Sequence, residues 1–288
     1  MSMINREHKD RLFSFLFGSE ANKEWTLSLY NAVNETCYTD PKEVHFTTIE
    51  DVIYMGMKND LSFILFYVMN IYEQQSTFNP NMPVRQLMYA GKLYDKYIHM
   101  NRLNIYGKKR VCLPVPKLVV FYNGTEGKGD AVLKLSDAFE KKGEDRSAES
   151  DIEVKVRMID INYGKDQKMM RACRPLAEYA WLVQQIRKEE KIRKDIEAAV
   201  DAALDAMPGD FLIRLFLIGN RAEVKDMCIT EYNEAQTMQM FREEGREEGE
   251  GRVNQLNRKL IAEKRYGDLE RAAKDRAFQE ELYERYGF

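Results

Sequence analysis

The longest apolar segment of the chain covers residues 58–75, and its only acids are Asp60 and Glu73. As a single strand it is too long, because strands rarely exceed about ten residues. As a helix it would be apolar on every side, and its aromatic and β-branched composition disfavours that. A hairpin fits better, with a turn near Phe66 and Tyr67, although neither residue type is favoured in tight turns.

Apolar spacing elsewhere predicts a helical start, a strand-rich middle and a helical end. The predicted helices cover residues 6–17, about 22–34, 84–99, 133–139, 167–190, 196–206 and 222–241, with two small helices beyond 256. The other predicted strands lie within 44–59, over 117–122 and over 152–163, so that Asp160 is followed by further strand. This order predicts an α/β protein with a mixed sheet flanked by helices and an α-helical C-terminal section.

Composition divides the chain into three parts. Residues 1–190 hold the predicted sheet, residues 191–241 form a helical extension packed on it, and residues 242–288 form a charged, Gly-interrupted hinge with a small helical tail. The run from Arg242 to Arg252 is low in apolar residues, which is typical of a solvated hinge or a frayed helix. Because the tail would bury little alone, we expect it to dock on the core, a partner or another copy.

A hydrophobic content of 44% and a charged content of 32% are typical of a globular protein. The net charge of −3 gives no general attraction to nucleic acid, so a polyanion would need a local patch. The four cysteines form no CxxC pair, and we expect them to be reduced and buried. Without a signal-like or bilayer-spanning apolar run, a cytoplasmic location without a membrane is expected.

Asp60 and Glu73 are the first candidates for chemistry. Carboxylates are expensive to bury unless they are paired, hydrogen-bonded or bound to a cation. Two hard oxygen ligands at the ends of neighbouring strands therefore indicate a Mg²⁺-type site. Side chains alternate along a strand, so Glu73 and Gln75 share one face.

The helix predicted after the hairpin has cations and an aromatic residue along one side. Such a stripe suits a phosphate backbone, although a solvated surface is the other interpretation. Residues elsewhere on this helix, including Leu87 and Leu93, are expected to pack on the sheet. The stripe consists of Arg85, Tyr89, Lys92, Lys96 and His99, which fall within about 80° of one another.

Several motifs in order resemble a known family. Asp60 followed by Glu73-Gln74-Gln75 resembles the D…ExQ form of the PD-(D/E)XK nuclease motif, in which Gln replaces the usual Lys. The sequence is similar to the Rpn family of recombination-promoting nucleases, also labelled putative transposases, over nearly the whole chain. The supporting segments are Lys-Asn-Asp (58–60), Glu-Gln-Gln-Ser-Thr-Phe-Asn-Pro-Asn-Met-Pro-Val-Arg (73–85), Val-Phe-Tyr-Asn-Gly (120–124) and Ile-Asn-Tyr-Gly (161–164).

This resemblance implies a restriction-endonuclease-like core and a Mg²⁺-dependent DNA endonuclease, with Mn²⁺ as an alternative ion, associated with recombination or mobile elements. Asp60 and Glu73 would hold the metal. Gln75 would take the position of the Lys without its charge, which Arg85 would supply. Glu24 has two interpretations, because first-turn acids stabilise the helix dipole, whereas in this superfamily a first-helix acid often helps to hold metal.

The implied partner is DNA, with Arg85, Tyr89, Lys92 and Lys96 as the expected binding residues. Cutting both strands of a duplex usually takes two symmetry-related sites, which makes a homodimer a candidate assembly. The alternative is a catalytically inactive relative that binds DNA or protein, which the net acidity and Gln75 at the lysine position favour.

Overall fold

The computed structural model describes residues 12–47, 60–140 and 150–288, which contain a mixed six-stranded sheet with helices on both faces. The predicted α/β class with a helical C-terminal section is confirmed. The strands are β1 (Val44–Phe46), β2 (Leu61–Leu65), β3 (Val68–Gln75), β4 (Val115–Tyr122), β5 (Ala131–Lys134) and β6 (Lys155–Asp160). The helices are α1 (Leu12–Phe17), α2 (Lys23–Asn34), α3 (Met82–Met100), α4 (Gln167–Ala172), α5 (Arg174–Arg193), α6 (Ile196–Asp205), α7 (Arg214–Gly219), α8 (Arg221–Ala262), α9 (Tyr266–Ala272) and α10 (Arg276–Tyr286).

The strand order is β1-β2-β3-β4-β6-β5. β1, β2 and β3 pair antiparallel, β3, β4 and β6 pair parallel, and β5 closes the far edge antiparallel to β6. Parallel strands need a long crossover, and α3 lies in the connection from β3 to β4. The carboxyl ends of β3, β4 and β6 therefore lie at one edge of the sheet.

The predicted hairpin is confirmed as β2 and β3, with Leu61 opposite Tyr72 and Leu65 opposite Val68. The turn consists of Phe66 and Tyr67, as predicted. Phe66 adopts a positive φ of 54°, which is unfavourable for an aromatic residue. Its ring packs against Tyr38 with a centroid distance of 4.9 Å, so a tertiary contact supports the turn in place of a local glycine.

The two faces of the sheet have different partners. Helices α1, α2, α5, α6 and α7 cover one face, where Phe13 packs on Phe121 at 5.1 Å and on Tyr179 at 5.8 Å between ring centroids. Helix α3 covers the other face, with Tyr89 and Leu93 among its buried contacts. Because side chains alternate along β3, Glu73 and Gln75 point towards the α3 face.

Three predicted elements before α6 differ in the structure. Residues 133–134 belong to β5 rather than to a helix, because pairing with β6 outweighs local propensity, and only Leu135–Ala138 form a 3₁₀ turn. The helix predicted over 167–190 is divided into α4 and α5 at Cys173, since Pro175 is accommodated only in a first turn. Strand β6 ends at Asp160 and does not continue to residue 163.

Other sequence predictions fall partly outside the described residues. This applies to the start of the helix over 6–17, to residues 48–59 before Asp60, and to most of the charged loop over 141–150. The expectation of four buried thiols is wrong, because Cys37 and Cys112 are exposed and only Cys173 and Cys228 are buried. Among the described residues, no helix has both the length and the apolarity needed to cross a bilayer.

The chain divides into two compact units, Met1–Glu231 and Tyr232–Phe288. The Gly-containing run from Arg242 to Arg252 lies within α8 and is helical throughout. The second unit has a small core of its own, formed where the end of α8 meets α9 and α10. Its buried residues are Leu256, Leu260, Ala272, Phe278, Leu282 and Tyr283.

Candidate active site

The two acids of the hairpin lie across from each other where β2 begins and β3 approaches its end. Asp60 directly precedes Leu61, whose partner is Tyr72, so the next pair outwards is Asp60 with Glu73. The Asp60 N–H donates to Oε1 of Glu73 at 3.1 Å. The Gln74 N–H donates to Oδ2 of Asp60 at 2.7 Å. Both carboxylates are thus held by backbone donors, which fixes their positions without a flexible loop.

Glu73 is almost completely buried, with 1% of its side chain exposed, and Arg85 contacts it from α3. The Arg85 Nη2 atom lies 3.2 Å from Oε2 of Glu73. The same guanidinium donates to the Tyr89 hydroxyl, at 2.9 Å from Nη2 and 3.3 Å from Nε. A cation therefore lies directly against the acid pair, as the charge of a buried carboxylate requires.

The charges of the site shift the pKa values of Arg85 and Tyr89. Burial opposes the charge of Arg85, but Glu73, Tyr89 and Asp60 outweigh it and raise the pKa of the guanidinium. Burial and the charge of Glu73 raise the pKa of Tyr89, so its hydroxyl stays protonated. Tyr89 is only 2% exposed and accepts hydrogen bonds from Arg85, so the structure places it as a support for Arg85.

Gln75, which stands at the position of the family's lysine, is buried and faces α3. Its Nε2 lies 2.8 Å from the Met82 thioether sulfur, a weak acceptor. The intervening residue Gln74 points to the other face and donates from Nε2 to Oδ1 of Asn123 at 2.8 Å. In the E-Q-Q sequence the two amides thus contact different layers of the fold.

The remaining predicted site residues are farther out. Lys96 is exposed and donates from Nζ to the Thr47 carbonyl at 3.4 Å, while Lys92 is half-buried. Leu87 is 38% exposed, contrary to the expectation that it packs on the sheet, whereas Leu93 is buried. The predicted stripe is therefore exposed only in part, because Lys96 faces solvent whereas Tyr89 is buried.

Glu24 does not join Asp60 and Glu73. It lies exposed on α2 and lines a surface groove with Ser28, Asn31, Tyr38 and Thr39. Among the described residues, no group of three or more acids, histidines and cysteines is close enough to share a metal ion. Of the described residues, only Asp60 and Glu73 would therefore be carboxylate ligands of a divalent ion at the hairpin, which suits Mg²⁺ because that ion usually keeps several waters.

A further acid lies at the same edge of the sheet, and the sequence prediction set it aside because the strand was expected to continue past Asp160. Gln75 pairs with Tyr122 in register, and Tyr122 pairs with Asp160, so all three stand in one row at the carboxyl ends of parallel strands. Asp160 is buried and accepts from the Asn162 N–H at 3.0 Å and Nδ2 at 2.8 Å. The sequence signal for a strand end at Asp160 is the turn sequence Asn-Tyr-Gly, which begins two residues later at Asn162.

Comparison with known proteins identifies one relationship. A family model described as "Putative transposase, YhgA-like" matches residues 57–207, which is more than half of the chain. The matched region begins just before Asp60 and contains Glu73, Gln75 and Arg85. Neither a curated protein nor a solved structure matches the chain.

Proposed function

Because this chain belongs to the family described as YhgA-like putative transposases, we propose that it is a metal-dependent DNA endonuclease acting in recombination or on mobile elements. The observation that carries the proposal is the Asp60–Glu73 pair at the end of the central hairpin, held by backbone donors and faced by Arg85. Transposition requires breaking phosphodiester bonds, and paired carboxylates beside a cation are suited to that chemistry.

The residues present fit a divalent ion of the Mg²⁺ type. Asp60 and Glu73 would hold it, since both offer hard oxygen donors from adjoining strand ends. When bound, such an ion lowers the pKa of a water molecule and neutralises charge on a phosphate. Arg85 supplies a positive charge at this place from the described part of the chain, and a phosphate oxygen would compete with Glu73 for its guanidinium.

Gln75 and Tyr89 have positioning roles in this proposal. Gln75 supplies an amide rather than the positive charge of a lysine, so it orients but does not neutralise. Tyr89 accepts two hydrogen bonds from Arg85 and holds the guanidinium towards Glu73. The charge that the family's lysine would supply therefore comes from Arg85, on the helix that follows β3.

One observation favours a second candidate function, a DNA-binding module without catalysis. Arg85 already neutralises Glu73, and the Gln75 amide is directed to Met82 rather than to the carboxylates. A site in which Arg85 offsets the charge of Glu73 would be stable without a metal ion. In that case the chain would retain DNA without cutting it.

The test is incubation of supercoiled plasmid with purified protein in Mg²⁺, Mn²⁺, Ca²⁺ or EDTA. We expect nicking or linearisation in Mg²⁺ or Mn²⁺, and a loss of about 100-fold or more in Asp60→Asn and Glu73→Gln, which keep the size of each side chain. Asp95→Asn is the matched control, since Asp95 is an exposed acid of α3. Absence of cleavage with every ion by a folded protein would overturn the endonuclease proposal, and gel retention of DNA would then support the binding module.

A further inference from the structure

A groove of about 640 Å³ opens where the loops after β4 and β6 meet α5. It belongs to the face of the sheet opposite α3, so it is distinct from the predicted cation stripe. Its floor is apolar, from Ile161, Ala180 and Val183, and Asn123 and Asn162 add amide groups. The groove therefore combines an apolar base with hydrogen-bonding walls, which is the composition of a ligand site.

The groove is connected to the acid pair through hydrogen bonds. Gln74, which lies between Glu73 and Gln75, donates its backbone N–H to Asp60 and its side-chain amide to Asn123 at 2.8 Å. Asn123 is a wall of the groove. A chain bound at the acid pair that crosses the carboxyl edge of the sheet next to β4 would enter this groove.

The groove has a strong positive charge for a protein with a net charge of −3. Arg187, Lys188 and Lys191 line it, and in the described part of the chain none of them forms an ion pair with a carboxylate. Two other cations of α5 differ, because Arg174 pairs with Glu178 and Asp210, and Arg193 pairs with Glu189. Among the described residues, the cations of α5 that have no carboxylate partner are therefore those that line the groove.

Arg187 is the most constrained of the three. Its Nη1 lies 3.2 Å from the neutral amide oxygen of Asn162. Burial lowers its pKa in spite of attraction from the more distant Glu231. A partly buried guanidinium whose direct acceptor is a neutral amide in the described chain gains from an anion, because charge-assisted hydrogen bonds are stronger than neutral ones.

An exposed aromatic ring completes the groove. Tyr163 follows β6 and is 52% exposed. It lines the groove together with the apolar residues Val183 and Ile192. Exposed aromatic residues next to cations are the platforms on which unpaired bases stack, while the cations follow the backbone. Duplex bases present only their edges, so stacking on this ring requires an unpaired base.

We propose that this groove binds a single-stranded DNA segment that continues from the acid pair. Phosphates contact Arg187, Lys188 and Lys191, and one base stacks on Tyr163. This inference rests on the proposed function, because it assumes that DNA reaches the acid pair. It adds a strand preference, namely single-stranded DNA beside the cleavage site.

The test is binding of a fluorescently labelled single-stranded oligonucleotide, measured by anisotropy in EDTA so that cleavage does not intervene. Lys188→Ala/Lys191→Ala should weaken binding and reduce the slope of log K against log salt by about 1.4, since each phosphate contact on a single strand contributes about 0.7. The matched control is Arg193→Ala/Lys194→Ala, which removes the same charge from the end of the same helix outside the groove. An equal change of slope in both double variants would overturn the proposal.

The stacking part is tested separately. Tyr163→Ala should weaken binding roughly 5- to 150-fold, and Tyr163→Phe should keep it, because phenylalanine retains the stacking face. An oligonucleotide made of abasic sites has no bases to stack, so the Tyr163→Ala variant and the unchanged protein should bind it with equal affinity. An effect of Tyr163→Ala that persists on the abasic strand would overturn the stacking assignment.

Three further outcomes separate this inference from the proposed function. Duplex DNA that binds as tightly as the single strand, with the same dependence on Lys188 and Lys191, would overturn the strand preference alone. Plasmid cleavage by a protein whose single-strand binding ignores all groove variants would support the endonuclease proposal and overturn the groove. Binding that depends on the groove, without cleavage in any metal, would support the groove and overturn the endonuclease.

Discussion

Asp60 donates its backbone N–H to the buried carboxylate of Glu73 at 3.1 Å, so one acid of the pair helps to hold the other. Like charges opposite each other on a hairpin repel. Arg85 offsets this repulsion by its contact with Glu73 at 3.2 Å. The contact of Arg85 with this pair of carboxylates determines how the site should respond to ions, to substitution and to pH.

Divalent ions should stabilise the folded chain. An ion that binds the carboxylates only in the folded state adds about 2.7 kcal/mol to the free energy of unfolding at a concentration 100 times its Kd. We therefore expect Mg²⁺ or Mn²⁺ to raise Tm in a thermal melt, and Asp60→Asn to remove the shift. A shift of the same size in Asp60→Asn would contradict binding at this pair.

Arg85 should matter for cleavage through its geometry as well as its charge. Arg85→Gln should slow cleavage about 100-fold, the usual effect of losing one group that stabilises transition-state charge. Arg85→Lys should recover only part of the rate, because a lysine lacks the planar fork that contacts both Glu73 and Tyr89. Single-turnover rates on a labelled duplex provide the measurement, and full activity of Arg85→Gln would exclude the role.

The ion pair of Arg85 should be insensitive to pH over the working range. The pKa of the folded-state guanidinium is raised, so its stabilising contribution is present below the ordinary arginine pKa and is lost only when the pH exceeds the raised value. Because the Arg85 side chain is 35% exposed, we expect Arg85→Gln to cost about 2 kcal/mol rather than the full penalty of a buried pair. In urea unfolding, the difference in free energy of unfolding between the unchanged protein and Arg85→Gln should stay constant from about pH 7 to about pH 10.

Gly124 should be intolerant of a side chain. An added Cβ would lie 2.5 Å from the Ser76 carbonyl oxygen and closer still to the Tyr122 hydroxyl, at the edge where β3 and β4 end. We expect Gly124→Ala to destabilise the fold by about 1 to 3 kcal/mol. Gly91→Ala is the opposite control, because a Cβ there meets nothing within 4 Å and alanine favours a helix by about 1 kcal/mol. Equal denaturation midpoints for both variants would contradict the close approach at Gly124.

The cysteines should divide into two reactive and two protected thiols. Burial raises the pKa of Cys173 to about 11 and raises that of Cys228 further, whereas Cys37 and Cys112 are exposed. Raised pKa values leave little thiolate near about pH 8, and burial blocks access. Mass spectrometry after brief iodoacetamide treatment should find label on Cys37 and Cys112 alone, and on all four after denaturation.

Much of the fold could be predicted from local pattern. The hairpin with its turn at Phe66 and Tyr67, the helix α2, and the helix α3 with Pro83 in its first turn all follow from local spacing. Predictions were wrong where distant pairing decided the outcome. Residues 133–134 became strand because β6 lies beside them, and β6 ends at Asp160, whose N–H donates to the Asp130 side chain.

By itself, the sequence determined the α/β class, the hairpin, and the placement of Asp60 and Glu73 on it, because periodicity and burial cost act within short stretches. The tertiary structure alone decided which cations reach which acids. Arg85 meets Glu73 because α3 packs on that face, Glu24 lies elsewhere on α2, and Asn123 joins Gln74 to the groove across parallel strands. Such contacts between residues far apart in the chain depend on strand order and helix packing, which no local spacing encodes.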